Sequence, residues 1–159
     1  MSLSIAWEPL AGLLDDGLAD LVRAHWEEVG VHKDKMPLDV NWKKYQDQED
    51  ARVLRILAAR LDDKLIGYSS FIVVGGHLHY WSTPHAHGDA IYVDKALRHT
   101  GAGIALIDRA ETDLKAEFAP GYVRILYHDK AFLEFLGPVL RKRGYTHQEN
   151  IWDKMAGGA

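Results

Sequence analysis

The stretch Ala90–Glu111, AIYVDKALRHTGAGIALIDRAE, constrains this chain more than any other. An apolar extended run, Ala90–Val93, leads into Asp94-Lys95 and then Arg98-His99-Thr100-Gly101-Ala102-Gly103. Helical spacing follows at Gly103, Ile107, Ala110, Leu114 and Phe118, and Pro120-Gly121 ends it. Glycines at such a turn let the backbone approach an anion closely. The first amides of the following helix have no intrahelical acceptors and lie at the positive end of its dipole. Arg98 offers charge-assisted hydrogen bonds beside them. The unit reads as an anion-binding strand–loop–helix. Two better-known phosphate loops do not fit. A dinucleotide fingerprint needs a third glycine where Leu106 stands, and a Gly-Lys-Ser/Thr loop is absent from the whole chain. Gly-x-Gly taken alone is also the mark of a tight turn, so the surrounding elements have to carry the reading.

Those elements can be read along the chain. Ile5–Trp7 is a short first strand. Leu14, Leu18, Leu21, Val22, His25 and Val29 recur at helical spacing after Pro9, and Gly30 stops them. Asp39 is placed to cap a second short helix through Tyr45. Arg52–Leu61 and Leu65–Val74 flank Asp62-Asp63-Lys64 as a hairpin. Gly75-Gly76 interrupts the second of these strands, which can resume through His77–Trp81 before Pro84 turns the chain. Tyr122–Tyr127 is a strand, Ala131–Arg143 a helix bent at Gly137-Pro138, and Tyr145–Met155 a final strand. The order β-α-α-β-β-β-α-β-α-β predicts an α+β chain. Its central sheet is mixed and mostly antiparallel, with helices on both faces, and residues 1–159 form one domain.

Composition narrows what such a domain can do. A formal charge of −4 argues against a protein that coats nucleic acid, and the run Arg141–Arg143 reads as a solvated helix end. The absence of cysteine excludes disulfides, zinc–thiolate sites and an acyl-cysteine intermediate, and it agrees with a cytoplasmic setting. Met1–Ala11 carries Glu8 and no basic region, so it does not read as a secretory signal. The longest stretch free of Asp, Glu, Lys and Arg, Leu65–Gly88, is broken by glycines, Pro84 and four histidines, which argues against a membrane span.

Arg98-x-x-Gly-x-Gly between the strand Ile91–Val93 and a helix resembles the motif with which GNAT acetyltransferases hold the pyrophosphate of coenzyme A. The order of elements resembles that family over roughly residues 5–155. Gly144-Tyr145 resembles the Gly-Phe pair that opens the family's last strand, and in detail the chain is similar to uncharacterised GNAT proteins of phage and prophage genomes. The resemblance implies acetyl-CoA as co-substrate and direct transfer of an acetyl group to an amine of a small molecule, protein or peptide. It implies thioester and pantetheine contacts on the backbone of Ile91, Tyr92 and Val93. The pyrophosphate would lie along Arg98, His99, Thr100, Gly101, Ala102, Gly103 and Ile104. A catalytic base, where members have one, often lies on the strand before the loop. Strand alternation puts His87, Asp89, Ile91 and Val93 on one face, so His87 or Asp89 is the candidate. A histidine has the better-suited ordinary pKa, whereas the bland reading makes Asp89 and Gly88 a turn and His87 loop. His128 follows a strand where the family often has a coenzyme-holding Asn. Many members carry a Tyr as general acid four residues before the last Gly-Phe pair, and here that position is Leu140. Either the thiolate leaves unaided, or Tyr127, His128 or Tyr145 substitutes, or catalysis is weak and the chain is a coenzyme-binding or structural module.

His77, His79, His85 and His87 form a separate motif, HLHYWSTPHAH. His-x-His on a strand puts both rings on one face, and a reversal at Ser82-Thr83-Pro84 could bring the pairs together over a transition metal. The favoured alternative, with no carboxylate or cysteine at ligand spacing, is a cleft lined by these rings and Tyr80 and no metal bound. Trp26, Trp42, Trp81 and Trp152 read as core or interface anchors. His32-Lys33-Asp34-Lys35 falls on a loop beside the acceptor site that the resemblance implies. Pairing into a homodimer through the final strand is left open.

Overall fold

A computed structural model describes residues 1–128 and 136–148. Five strands form one sheet in chain order: β1 (Leu3–Trp7), β2 (Leu54–Leu61), β3 (Lys64–Val74), β4 (His85–Val93) and β5 (Arg124–Tyr127). The first three ladders are antiparallel and the last, β4 with β5, is parallel. A parallel neighbour cannot be reached by a tight turn. The connection is made by the longest helix, α4 (Ala102–Glu117). The β2–β3 hairpin closes on Asp62 and Asp63 at φ 47° and 65°. Two successive left-handed residues match the strand twist, and Asp tolerates that conformation.

Both faces of the sheet are covered, as expected. On one, Leu106, Ala110 and Leu114 of α4 pack against Leu57, Ile66, Phe71 and Val93. On the other, helices α1 (Leu10–Asp15), α2 (Leu18–Val29) and α3 (Trp42–Asp50) lay Leu10, Leu13, Leu18, Trp42 and Tyr45 against Leu54, Ile56, Tyr68 and Tyr92. Burial from both sides explains why β3 is apolar along most of its length. At about 25 cal/mol per Å² of apolar area, these two layers are the main stabilising term.

Several boundaries differ from the pattern-based reading. The first helical run is two helices, because Gly17 at φ 96° breaks it after Asp16. Asn41 caps α3, its side chain accepting from Lys44 N at 2.9 Å, where Asp39 was the expected cap. β3 does not resume after Gly75-Gly76; His77 and Tyr80 make an isolated bridge in a turn. β4 begins at His85, five residues before the predicted strand, because Arg124 N donates to Pro84 O and β5 then pairs from His85 onward. A last helix, α5 (Leu136–Lys142), includes Gly137-Pro138. Tyr145–Gln148 is not strand, and the rest of the expected Tyr145–Met155 strand and residues 131–135 lie outside the described residues. Among the described residues, no helix is long and apolar enough to cross a membrane.

Candidate active site

The site is built around a bulge in β4. Ser70 pairs with Ala90 and Phe71 with Gly88, which leaves Asp89 as an extra residue with no partner on β3. Beyond a bulge, strand alternation changes phase. Ile91 and Val93 pack on the α4 face, while Ala90 and Tyr92 join the α1–α3 face. His87, paired with Ile72 of the α1–α3 cluster, falls with Tyr92 rather than with Ile91. The expected shared face of His87, Asp89, Ile91 and Val93 is therefore corrected. Asp89 is exposed and makes no hydrogen bond or ion pair among the described residues, and its charge is felt by Tyr45 and Tyr68. Burial is the main cause that pushes both phenols up, and Asp89 adds to it.

The same strand also pairs with β5. Their ladder runs from His85↔Arg124 to Gly88↔Tyr127, and His128 N reaches Gly88 O at 3.5 Å. Gly88 permits this approach: a Cβ there would stand 2.8 Å from Tyr127 Cδ1. Past Gly88, no described strand covers the side of Asp89–Val93 opposite β3. Among the described residues, the outward main-chain groups of Ile91 and the Val93 N–H have no strand partner, while Val93 O accepts from Arg98 Nε.

The strand leads into the glycine loop. Asp94 accepts from Ala96 N at 2.9 Å, a short 3-10 turn runs Lys95–Thr100, and Gly101 takes φ 82° before α4 begins. The first intrahelical bond of α4 is Ala105 N to Gly101 O at 3.0 Å. The amides of Ala102, Gly103 and Ile104 precede it and have no intrahelical acceptor. Gly101 has no side chain to cap them, and the hydroxyl of Thr100, which donates to Leu97 O, meets only Ala102 N at 3.4 Å. A Cβ on Gly101 would have nothing within 4 Å, and one on Gly103 only Val93 Cγ2 at 3.8 Å. Open space beside uncapped amides at a helix N-terminus fits a diphosphate. Arg98 and His99 are exposed beside it, but Arg98 is already engaged. Its Nη1 and Nη2 donate to Glu28 Oε1 and Oε2 at 2.8 and 2.5 Å, and its Nε donates to Val93 O at 3.1 Å. Hydrophobic spacing gave Glu28 no role, since it lies on the polar side of the α2 pattern.

Of the catalytic candidates, His87 is half-buried and Asp89 and His128 are exposed. Burial, then the neighbouring His85, His128, Arg124 and His77, hold the imidazole of His87 below its ordinary value of 6.5. The ring is neutral at neutral pH and able to accept a proton. The other histidines stack instead of converging. His77 lies 5.1 Å from His85 and His85 6.0 Å from His87, ring to ring, with interplanar angles of 32° and 20°. His85 is 1% exposed and shares its Nδ1 proton with Thr83 O at 2.9 Å. Among the described residues, no group of three or more His, Asp or Glu could hold a metal ion. Leu140 is 9% exposed in an apolar position, so α5 presents no acid there. Tyr127 and Tyr145 pack edge to face at 5.7 Å, and burial pushes both phenols well up. The hydroxyl of Tyr127 is enclosed away from solvent.

Amides without intrahelical acceptors at the start of α4, with open space at Gly101, form a place that suits an anionic group. The acetyltransferase (GNAT) family model matches residues 18–135, most of the chain, and the protein belongs to that family as one of its acyltransferases. No curated protein matches it in sequence. The fold is similar to that of an aminoglycoside acetyltransferase, meta-AAC0020, from an uncultured soil metagenomic sample, solved with sisomicin. The TM-score is 0.72 at 15% identity, covering 99% of this chain and 97% of that one. A predicted acetyltransferase from Clostridium acetobutylicum, solved with acetyl-CoA, gives 0.71 at 12% identity over 98% and 96%. A ribosomal-protein-alanine N-acetyltransferase from Brucella melitensis biovar Abortus 2308 gives 0.67 at 18% over 99% and 100%.

Proposed function

We propose that the protein transfers an acetyl group from acetyl-CoA directly to an amine of a small molecule or of a protein or peptide. The observation that carries this reading is the run Ala102–Ile104 beyond the end of β4, amides without intrahelical acceptors of which only Ala102 N meets a protein oxygen, Thr100 Oγ1 at 3.4 Å. Those amides, with Gly101 giving room, receive the diphosphate, and the unpartnered main-chain groups of Ile91 and Val93 receive the pantetheine chain and thioester. His87 takes a proton from the acceptor ammonium, directly or through a water. The freed lone pair attacks the thioester carbonyl carbon, main-chain donors of β4 stabilise the developing oxyanion, the carbon–sulfur bond breaks, and the departing thiolate takes up the proton that the new amide nitrogen loses. Asp89, unpaired beside Tyr45 and Tyr68, attracts the acceptor cation or serves as the base itself; His128, at the end of the β4–β5 ladder, is the candidate to meet the coenzyme or the departing thiolate.

A thiolate with an ordinary pKa of about 8.5 leaves without a strong acid, which accommodates the apolar Leu140. The same leucine favours slow turnover, with coenzyme binding as the retained property, as the second reading. Both acceptor classes have fold counterparts in the aminoglycoside and ribosomal-protein-alanine enzymes. A cytoplasmic setting and the likeness to phage and prophage proteins rest on the sequence alone. The test is release of free thiol from acetyl-CoA across a panel of aminoglycosides, polyamines and peptides with free N-termini. Amine-dependent release supports transfer. No release with any amine, in protein that binds coenzyme A, leaves the binding-only reading.

A further inference from the structure

Resting on the reading of Gly101–Ile104 as the diphosphate site, we infer that Glu28 is a positioning residue for the loop and that Arg98 is a buttress, not a phosphate ligand. Each of the three guanidinium nitrogens donates internally, two to the Glu28 carboxylate and one to the Val93 carbonyl, so that three of the five N–H groups are engaged, and a face lies over Tyr92 at 5.5 Å. A bidentate carboxylate pair fixes both the position and the plane of an arginine. The bond to Val93 O then ties the last residue of β4 to the turn that sets Gly101. One turn earlier on the same face of α2, His25 stacks on Tyr92 at 5.0 Å and shares a hydrogen bond with the Tyr68 hydroxyl at 2.9 Å. The last two turns of α2 thus grip the end of β4 through His25 and the loop through Glu28. Because the carboxylate neutralises the guanidinium, attraction for the diphosphate comes from the amides and the dipole of α4. The depressed pKa of Glu28, which Arg98 causes, is consistent with a pair that stays ionised.

The two roles for Arg98 predict opposite signs. Were Arg98 a phosphate ligand restrained by Glu28, Glu28→Gln would free it and remove a negative charge, and coenzyme A would bind more tightly. As a buttress, the same change loosens the loop, and the calorimetric Kd for coenzyme A rises on the order of 10-fold despite the lost repulsion. Arg98→Lys keeps the charge but loses the fork, and it gives a similar rise. The double variant is no worse than either single one, since both break the same support. Thermal unfolding of each variant without ligand confirms that it is folded, and a purely structural pair would lower Tm while leaving Kd unchanged. An unchanged or lower Kd in Glu28→Gln overturns the inference alone. Failure of the wild-type chain to bind coenzyme A overturns the site and the inference together.

Discussion

Gly101→Glu is the most informative single change, because its effects on stability and on binding separate. The position has φ 82°, so any residue with a Cβ is strained there, at a cost of about 1–2 kcal/mol. No atom lies within 4 Å of the added Cβ, so the side chain starts into open space and the variant is expected to fold, which its thermal unfolding checks. Its carboxylate then stands where the diphosphate is expected. Two unit charges about 4 Å apart repel by roughly 4 kcal/mol at an effective dielectric of ~20, and by about half that if the side chain swings toward solvent. At 1.4 kcal/mol per tenfold, this weakens coenzyme A binding by roughly 30- to 700-fold. Gly101→Ala is the control: it carries the same backbone strain without the charge and binds within about threefold of wild type. Calorimetric titration of all three with coenzyme A gives the comparison. Equal affinity for Gly101→Glu and Gly101→Ala would refute the placement of the diphosphate.

Other changes test the remaining parts. His87→Gln lowers kcat by about 100-fold, within the usual contribution of a general base. Its wild-type pH profile also has a definite sign. The base works as neutral imidazole and its pKa is lowered, so kcat/KM holds through neutrality and falls only on acidification past a pKa under 6.5; an acid limb above that value contradicts the assignment. Gly88→Val drives a side chain into the Tyr127 ring, destabilises the β4–β5 junction by about 1–3 kcal/mol and lowers Tm, which calorimetry reads directly. Arg60→Met removes the donor to Glu8 at 2.7 Å and to Asp16 at 2.6 Å, which joins β2 to the residues flanking both ends of α1. With the partners partly solvated, the loss is about 1–2 kcal/mol by urea unfolding, and coenzyme A affinity stays the same.

What could be read from sequence follows from the range of the interactions involved. The β2–β3 hairpin, the two glycines of the loop and the amphipathic run of α4 are local, since turn chemistry and 3.6-residue spacing are written into neighbouring residues. The bulge at Asp89 is not local. It arises where β3 and β4 are brought into register, and it puts His87 on the other face from Ile91 and Val93. The partner of Arg98 was equally hidden, because Glu28 is 70 residues away and helical periodicity marks it only as polar. The break at Gly17 and the cap at Asn41 had signals, a glycine within the helical run and an Asx residue directly before Trp42. A stronger apolar pattern and a nearer aspartate masked them.

The account stands or falls on the amides of Ala102, Gly103 and Ile104. Their ¹H–¹⁵N resonances can be followed while coenzyme A, and separately pantetheine without the diphosphate, is titrated into labelled protein. The account predicts large, saturable shifts of these three with coenzyme A, together with Gly101, and none with pantetheine. Resonances that stay in place at saturating coenzyme A would contradict it.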